Sequence, residues 1–87
     1  MENRIKVSSK SNMNRVAGAI IGILNELNEM YIDVIGAGSL NQAIKAVAVA
    51  RGYGAPSGIE LMVQPSFKTI SIDDRDVTSI KLKVVKV

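Results

Sequence analysis

The stretch that decides the fold of this 87-residue chain is GAGSLNQAIKAVAVARGYGAPSG, which runs from Gly36 to Gly58. It follows an apolar run that ends at Ile35 and opens with two glycines. It then continues as a helical pattern from Ser39 to Tyr53 and stops at a group of glycines and a proline. A strand, a glycine turn, a helix and a glycine stop together predict one half of a parallel βαβ unit.

The helix in this stretch is apolar around most of its circumference. One face carries Leu40, Ala43, Ile44 and Val47, and a second face beside it carries Ala46, Val49, Ala50 and Tyr53. A helix that covers one side of a sheet needs a single apolar face, so the second face predicts further burial. In so short a chain the simplest second cover is another copy. We therefore predict a homodimer whose interface is formed by Ala46, Val49, Ala50 and Tyr53, with assembly beyond a dimer left open.

Length and composition predict one domain spanning residues 1–87. The chain has no cysteine and no histidine, which excludes disulfides, thiolate metal sites and the usual general base. The first residues contain no long apolar run, so we expect no signal peptide, no membrane span and a cytoplasmic location. Formal net charge is only +3, but basic residues predominate near the start of the chain. Such a local basic patch attracts phosphates.

The remaining pattern predicts the order β-α-β-α-β-β. The predicted elements are a strand around Ile5 and Val7, a helix over 12–28, a strand over 30–35, the helix over 39–53, a strand from Ile59 to Gln64 and a last strand from Ile80 to Val84. Gly18 and Gly22 lie one turn apart in the first helix, and we expect a neighbouring element to approach closely there. Pro65 cannot donate to a strand ladder, so we expect an edge strand or a bulge there. The apolar phase shifts after Phe67, as a bulge would produce.

Three stretches closely resemble the stage V sporulation protein S family: the Gly36–Gly58 block, KVSSKSNMNRVAGAI near the start and ISIDDRDVTSIKLKV near the end. The resemblance covers essentially the whole chain without gaps. That family is similar in turn to the Alba proteins, small basic dimers that bind DNA or RNA. The Alba likeness rests mainly on Lys10, Met13 and Asn14, and on the position of Gly38 and the helix after it.

The resemblance implies an Alba-like fold, a two-layer α/β (α+β) sandwich with two helices on one face of a mixed four-stranded sheet. It also implies dimerisation through the second helix and a role in regulating sporulation or development. Alba proteins contact nucleic acid with the loop after the first strand and with the start of the second helix. The implied nucleic-acid-binding residues here are Lys10, Asn12, Asn14, Arg15, Ser39, Asn41, Gln42 and Lys45.

Other site types fit the residues less well. The dinucleotide fingerprint G-x-G-x-x-G would need glycine where Asn41 stands, so we expect no nucleotide cofactor and no small-molecule substrate. A tight hairpin turn explains the aspartates at 73, 74 and 76 without a metal ion. No nucleophile–base pair is evident, and we predict that the chain is not an enzyme. The aromatic residues Tyr31, Tyr53 and Phe67 are not expected at outward positions on adjacent strands, so the basic sheet face is interpreted as solvated.

Two functions remain open. The first is modest nucleic-acid binding with little sequence preference, in which Lys10, Arg15 and Lys45 of both subunits neutralise phosphates. The alternative is a protein-interaction module on the same fold that does not bind nucleic acid directly. The weak net charge and the acidic hairpin tip favour the alternative.

Overall fold

A computed structural model describes residues 2–87 and has the predicted order of elements. The elements are β1 (Arg4–Lys6), α1 (Met13–Glu26), β2 (Glu29–Val34), α2 (Ala37–Gly54), a short 3-10 turn (Ala55–Ser57), β3 (Leu61–Ile72) and β4 (Arg75–Lys86). The strand order in the sheet is β1-β2-β4-β3, with β1 parallel to β2 and the other two pairs antiparallel. The two-layer mixed fold is therefore confirmed. In residues 2–87 no helix has the length and apolar character of a membrane span.

The core lies between one face of the sheet and the two helices. Along α1 the buried residues recur every three or four positions, as expected for a helix with one apolar face. The largest fully buried side chains are Ile20, Leu24, Met30, Ile32, Leu82 and Val84. Burying an aliphatic side chain of this size contributes about 1.5–3 kcal/mol relative to leaving it exposed. These side chains pack α1 against the sheet, and α2 adds smaller buried residues to the same core.

The buried face of α2 runs between the two apolar faces that the sequence distinguishes. Its members are Ala43, Ala46, Val47, Ala50 and Gly54. Ala46 and Ala50 have no exposed surface in the single chain, so they have none to offer a partner. The predicted interface is therefore corrected at these two residues, because helical periodicity alone does not tell which side of α2 meets the sheet. Of the predicted four, Val49 is partly buried and Tyr53 is half exposed.

The β3–β4 hairpin pairs without interruption from Leu61 with Lys86 to Ile72 with Arg75. The predicted bulge at Pro65 is wrong, since Pro65 pairs in register with Leu82. The edge position is confirmed, because within residues 2–87 β3 pairs only with β4 and so has a free side where a missing N–H breaks no ladder. Asp73 and Asp74 form the turn with φ of 51° and 61°, the conformation of a two-residue hairpin connection.

Gly18 and Gly22 lie on the exposed side of α1. A Cβ atom added at either glycine would meet no other atom of the described residues within 4 Å. The expectation that a neighbouring element of the chain packs against them is therefore wrong. The chain itself gives no structural reason for glycine at these two positions.

Candidate nucleic-acid interface

The loop between β1 and α1 is a compact turn held by its own serines. Ser8 accepts a backbone hydrogen bond from Ser11 N at 3.1 Å, and Ser11 Oγ accepts one from Ser8 N at 2.9 Å. Lys10 N donates to Ser8 Oγ at 3.2 Å. These bonds satisfy the loop backbone locally and leave the Lys10 side chain in solvent. The turn therefore presents one lysine at a fixed place beside the start of α1.

The start of α1 is capped by Asn12, whose Oδ1 accepts a hydrogen bond from Arg15 N at 3.0 Å. An asparagine cap satisfies one of the free N–H groups of the first turn. The Asn12 side chain is thus engaged in holding the helix, while Asn14 and Arg15 are exposed beside it.

The same loop packs against the start of α2. Gln42 Nε2 donates to the carbonyl oxygen of Ser11 at 2.7 Å, across 31 positions of sequence. A Cβ atom at Gly38 would lie 3.1 Å from Ser9 Cβ, so a larger residue would require the loop to shift. These two contacts bring the two helix starts together, as the parallel strands predict.

The N-terminus of α2 has no side-chain cap. Gly36 occupies the cap position with φ of 88°, a conformation that favours glycine, and offers no side-chain oxygen. Neither helix has an acidic residue in its first turn. The partial positive charge at both N-termini is therefore not reduced by a neighbouring carboxylate in either first turn. Such an end attracts anions.

We use the name helix-end surface for Lys10, Asn14, Arg15, Asn41 and Lys45, together with Ser39 at its border. All but Ser39 are exposed, and Ser39 is half-buried. The two remaining predicted residues, Asn12 and Gln42, make the structural hydrogen bonds described above. The structure therefore divides the predicted site into exposed groups and the two amides that position them.

A groove of about 460 Å³ borders the helix-end surface at the carboxyl ends of β1 and β2. Its polar lining comprises Lys6, Ser8, Ser11, Asp33, Ser39, Lys68 and Ser79. Asp33 lies 3.5 Å from Arg4 Nη1 and 3.9 Å from Lys68 Nζ. Its buried Oδ1 has no hydrogen-bond donor within residues 2–87. The groove joins the helix-end surface to the outer face of the sheet.

The opposite end of α2 is tied to the start of β3. Arg51 donates two hydrogen bonds to Glu60, from Nε to Oε1 and from Nη2 to Oε2, the second at 2.8 Å. These bonds and a third from Leu61 N hold the pKa of the Glu60 carboxyl at about 2, below its usual value of 4.5. This pair fixes the C-terminal end of α2. It also keeps the Glu60 carboxylate bound to Arg51, away from the helix-end surface.

The family model for stage V sporulation protein S matches residues 3–87 of this chain. The chain belongs to this family. It is accordingly a member of a family of sporulation proteins, and the predicted resemblance is confirmed. The structure is also similar to Alba from Thermoplasma volcanium, with a TM-score of 0.65 and 18% sequence identity. That match covers 95% of this chain and 99% of the other, and it shows that the two proteins share a fold.

Two charged side chains beside the helix-end surface, Lys68 and Asp33, are not predicted from the sequence. Lys68 reaches the groove from β3, and Asp33 stands at its floor between two cations. The local pattern of apolar and polar residues does not give the strand order β1-β2-β4-β3, and only this order brings Lys68 and Asp33 together. Across residues 2–87 no group of three acidic side chains is placed to hold a metal ion. The polar groups described here suit phosphate and hydroxyl recognition.

Proposed function

We propose that the protein is a cytoplasmic, dimeric, non-enzymatic regulator of sporulation that binds DNA or RNA through the helix-end surface. Lys10, Arg15 and Lys45 provide the charge, while Asn41 and Ser39 provide hydrogen bonds to phosphate or sugar oxygens. Such contacts carry little sequence information, so the binding has weak sequence preference. The resemblance to nucleic-acid-binding Alba proteins supports the same assignment.

The observation that carries the proposal is the docking of the β1–α1 loop against the start of α2. Gln42 and Gly38 hold Lys10 next to a helix N-terminus that has no side-chain cap and no acidic first-turn residue. A lysine beside two helix N-termini favours phosphate oxygens through both charge and N–H direction. A second copy of the chain would double the number of phosphate contacts on one nucleic acid.

An exposed apolar surface supports the dimer. We use the name apolar flank for Leu40 and Ile44 on α2 with Pro65, Phe67 and Ile80 on the hairpin. Leu40, Phe67 and Ile80 line one groove, and Phe67 is 81% exposed. Ile44, one turn after Leu40, is 44% exposed. Pro65 adjoins Phe67 and Ile80 in a second groove. Exposed apolar residues grouped in this way mark an association site, and the same surface on a second copy is its simplest cover.

The test is a titration of the protein into labelled duplex DNA and single-stranded RNA at low and moderate salt. Affinity for duplex DNA should fall steeply with salt, with a slope of about 0.9 for each phosphate contact. Changing Lys10 and Lys45 to alanine should weaken binding and reduce that slope. The matched control is Arg75→Gln, which removes a cation from the hairpin tip and should leave the slope unchanged.

Two results would contradict the assignment. If the Lys10 and Lys45 variant keeps its affinity and slope, phosphates are bound elsewhere. If a folded dimer binds neither nucleic acid, the likeness to Alba concerns the fold alone. The second candidate function, a protein-interaction module, would then be favoured by the exposed Phe67 and by the three aspartates at the hairpin tip.

A further inference from the structure

The outer face of the sheet is covered by no other element within residues 2–87, because both helices pack on the inner face. Strand pairing arranges its side chains in two rows. One row places Arg4, Tyr31 and Lys83 opposite one another, and the next places Lys6, Asp33 and Lys81 in the same way. Cross-strand neighbours on one face lie about 4.5–5.5 Å apart at Cβ, so these six side chains form one compact array.

Tyr31 is the centre of this array. The guanidinium carbon of Arg4 and the ammonium nitrogen of Lys81 each lie 5.4 Å from the centroid of its ring. Tyr31 is therefore the one aromatic residue on the outer face within residues 2–87, since Phe67 pairs with Ile80 on the other face and Tyr53 lies on α2. The Tyr31 side chain is half-buried, and a cation–π contact near the surface is weaker than a base stacked on an aromatic ring.

The charge on this face is strongly positive. Five cations, Arg4, Lys6, Lys68, Lys81 and Lys83, stand against two carboxylates, Glu29 and Asp33. Glu29 pairs with Lys83 at 3.0 Å, and Asp33 pairs with Arg4 and Lys68. Lys6 and Lys81 have no carboxylate within 4.0 Å in the described part of the chain. The excess charge opposes face-to-face packing of two copies and favours a polyanion.

We propose that this outer face binds single-stranded nucleic acid, with one base stacked on Tyr31 and the flanking phosphates bound by Arg4, Lys6 and Lys81. Base faces are available for stacking only where the strands are unpaired, so the aromatic ring selects single strands over duplexes. The groove lined by Lys6 and Lys68 gives the strand a route from the helix-end surface to this face. The proposal extends nucleic-acid binding to a separate surface, so either surface can fail alone.

Tyrosine fluorescence tests this directly. The chain has two tyrosines and no tryptophan, so Tyr53→Phe leaves Tyr31 as the sole emitter. Oligo(dT) and oligo(U) should quench this emission to saturation, and a duplex of equal length should quench it far less. The reciprocal variant Tyr31→Phe, in which Tyr53 emits, should show no quenching. A stronger effect with oligo(U) would assign the surface to RNA, and a stronger effect with oligo(dT) to DNA.

Affinity measurements provide the second readout. Tyr31→Leu should weaken single-strand binding by about 10-fold or more, the usual size of a lost stacking contact. Tyr31→Phe keeps the ring and should retain the affinity. Lys6→Gln with Lys81→Gln leaves Tyr31 in place and should weaken single-strand binding with a reduced salt slope.

Single strands that bind without quenching Tyr31, or that bind the Tyr31→Leu variant as tightly as the parent protein, would overturn the proposal. Circular dichroism at each step confirms that the variants are folded. Failure here is distinct from failure at the helix-end surface, which is measured by the duplex salt slope of the Lys10 and Lys45 variant.

Discussion

The two helices lie in the same layer but differ in how many of their apolar residues the chain buries. Helix α1 has one buried face, and its exposed side carries Gly18, Gly22 and polar residues. Helix α2 has a buried face built mostly of alanine, and it also exposes Ile44 and half of Tyr53. Burial within one chain therefore accounts for the apolar residues of α1 but leaves apolar surface on α2. The fold explains the apolar residues of α1, whereas the exposed apolar residues of α2 favour the proposed dimer.

The largest expected effect is on α1. Leu24 is fully buried, and Leu24→Ala removes its contacts and leaves a cavity. We expect the free energy of unfolding to fall by about 2–5 kcal/mol, measured by urea denaturation at fixed protein concentration. The exposed neighbour Asn25→Ala should change it by less than about 0.5 kcal/mol. A small loss in the free energy of unfolding for Leu24→Ala would mean that burial within the chain does not account for the apolar face of α1.

The next effect concerns α2 and the apolar flank. Ile44→Asp places a charge on an exposed apolar position and should weaken the proposed dimer by about 30-fold or more without unfolding the chain. Light scattering across a dilution series measures the mass. Tyr53→Asp, on the other side of α2, is the matched control and should leave the mass unchanged. If Tyr53→Asp dissociates the protein and Ile44→Asp does not, the interface lies on the flank that helical periodicity predicted.

A smaller effect of opposite sign is expected at the glycines of α1. Gly22→Ala adds a Cβ atom into open space in a helical conformation and should raise the free energy of unfolding by up to about 1 kcal/mol. Thermal denaturation measures the gain, and Gly18→Ala should behave in the same way. A loss of stability, or a loss of mass, would show that another chain packs closely on this side of α1.

The smallest effect is at the far end of α2, where Glu60 has a pKa of about 2. Because this pKa is below its usual value, the pair with Arg51 stabilises the folded state above about pH 4.5. That contribution is lost as the pH falls from there towards 2. Glu60→Gln should therefore be slightly less stable than the parent protein at pH 7, with the difference shrinking at low pH. Arg51→Gln should reproduce the effect, and the double variant should add nothing further.

The order of elements and the position of α2 were predictable because glycines, proline and apolar periodicity mark them locally. Two predictions that fail, the interface residues on α2 and the bulge at Pro65, both depend on which face of an element meets the core. Helical periodicity places Ala46 and Ala50 at the interface because it fixes the angle between residues but not the direction of the sheet. The bulge at Pro65 is predicted because the apolar residues change from odd to even positions, as they would if one extra residue shifted the strand register. In the structure the alternation continues, and apolar residues simply occupy the other face of the hairpin.

The candidate site was predictable where it is continuous in sequence. Lys10, Asn14 and Arg15 follow one another along one loop and helix start, and all three are exposed. The contact between Gln42 and Ser11, the groove position of Lys68 and the outward direction of Tyr31 depend on strand order and register. Those features arise from pairing between distant segments, which a single sequence does not specify.

The strand order has a consequence for synthesis. Strand β4 comes after the other three strands along the chain, yet it lies between β2 and β3 in the sheet. During translation both β2 and β3 therefore wait with an unpaired edge until β4 has left the ribosome. Unpaired edges are the sites at which incomplete chains associate with one another. The nascent protein is thus most exposed to aggregation while β4 is not yet available to pair with β2 and β3.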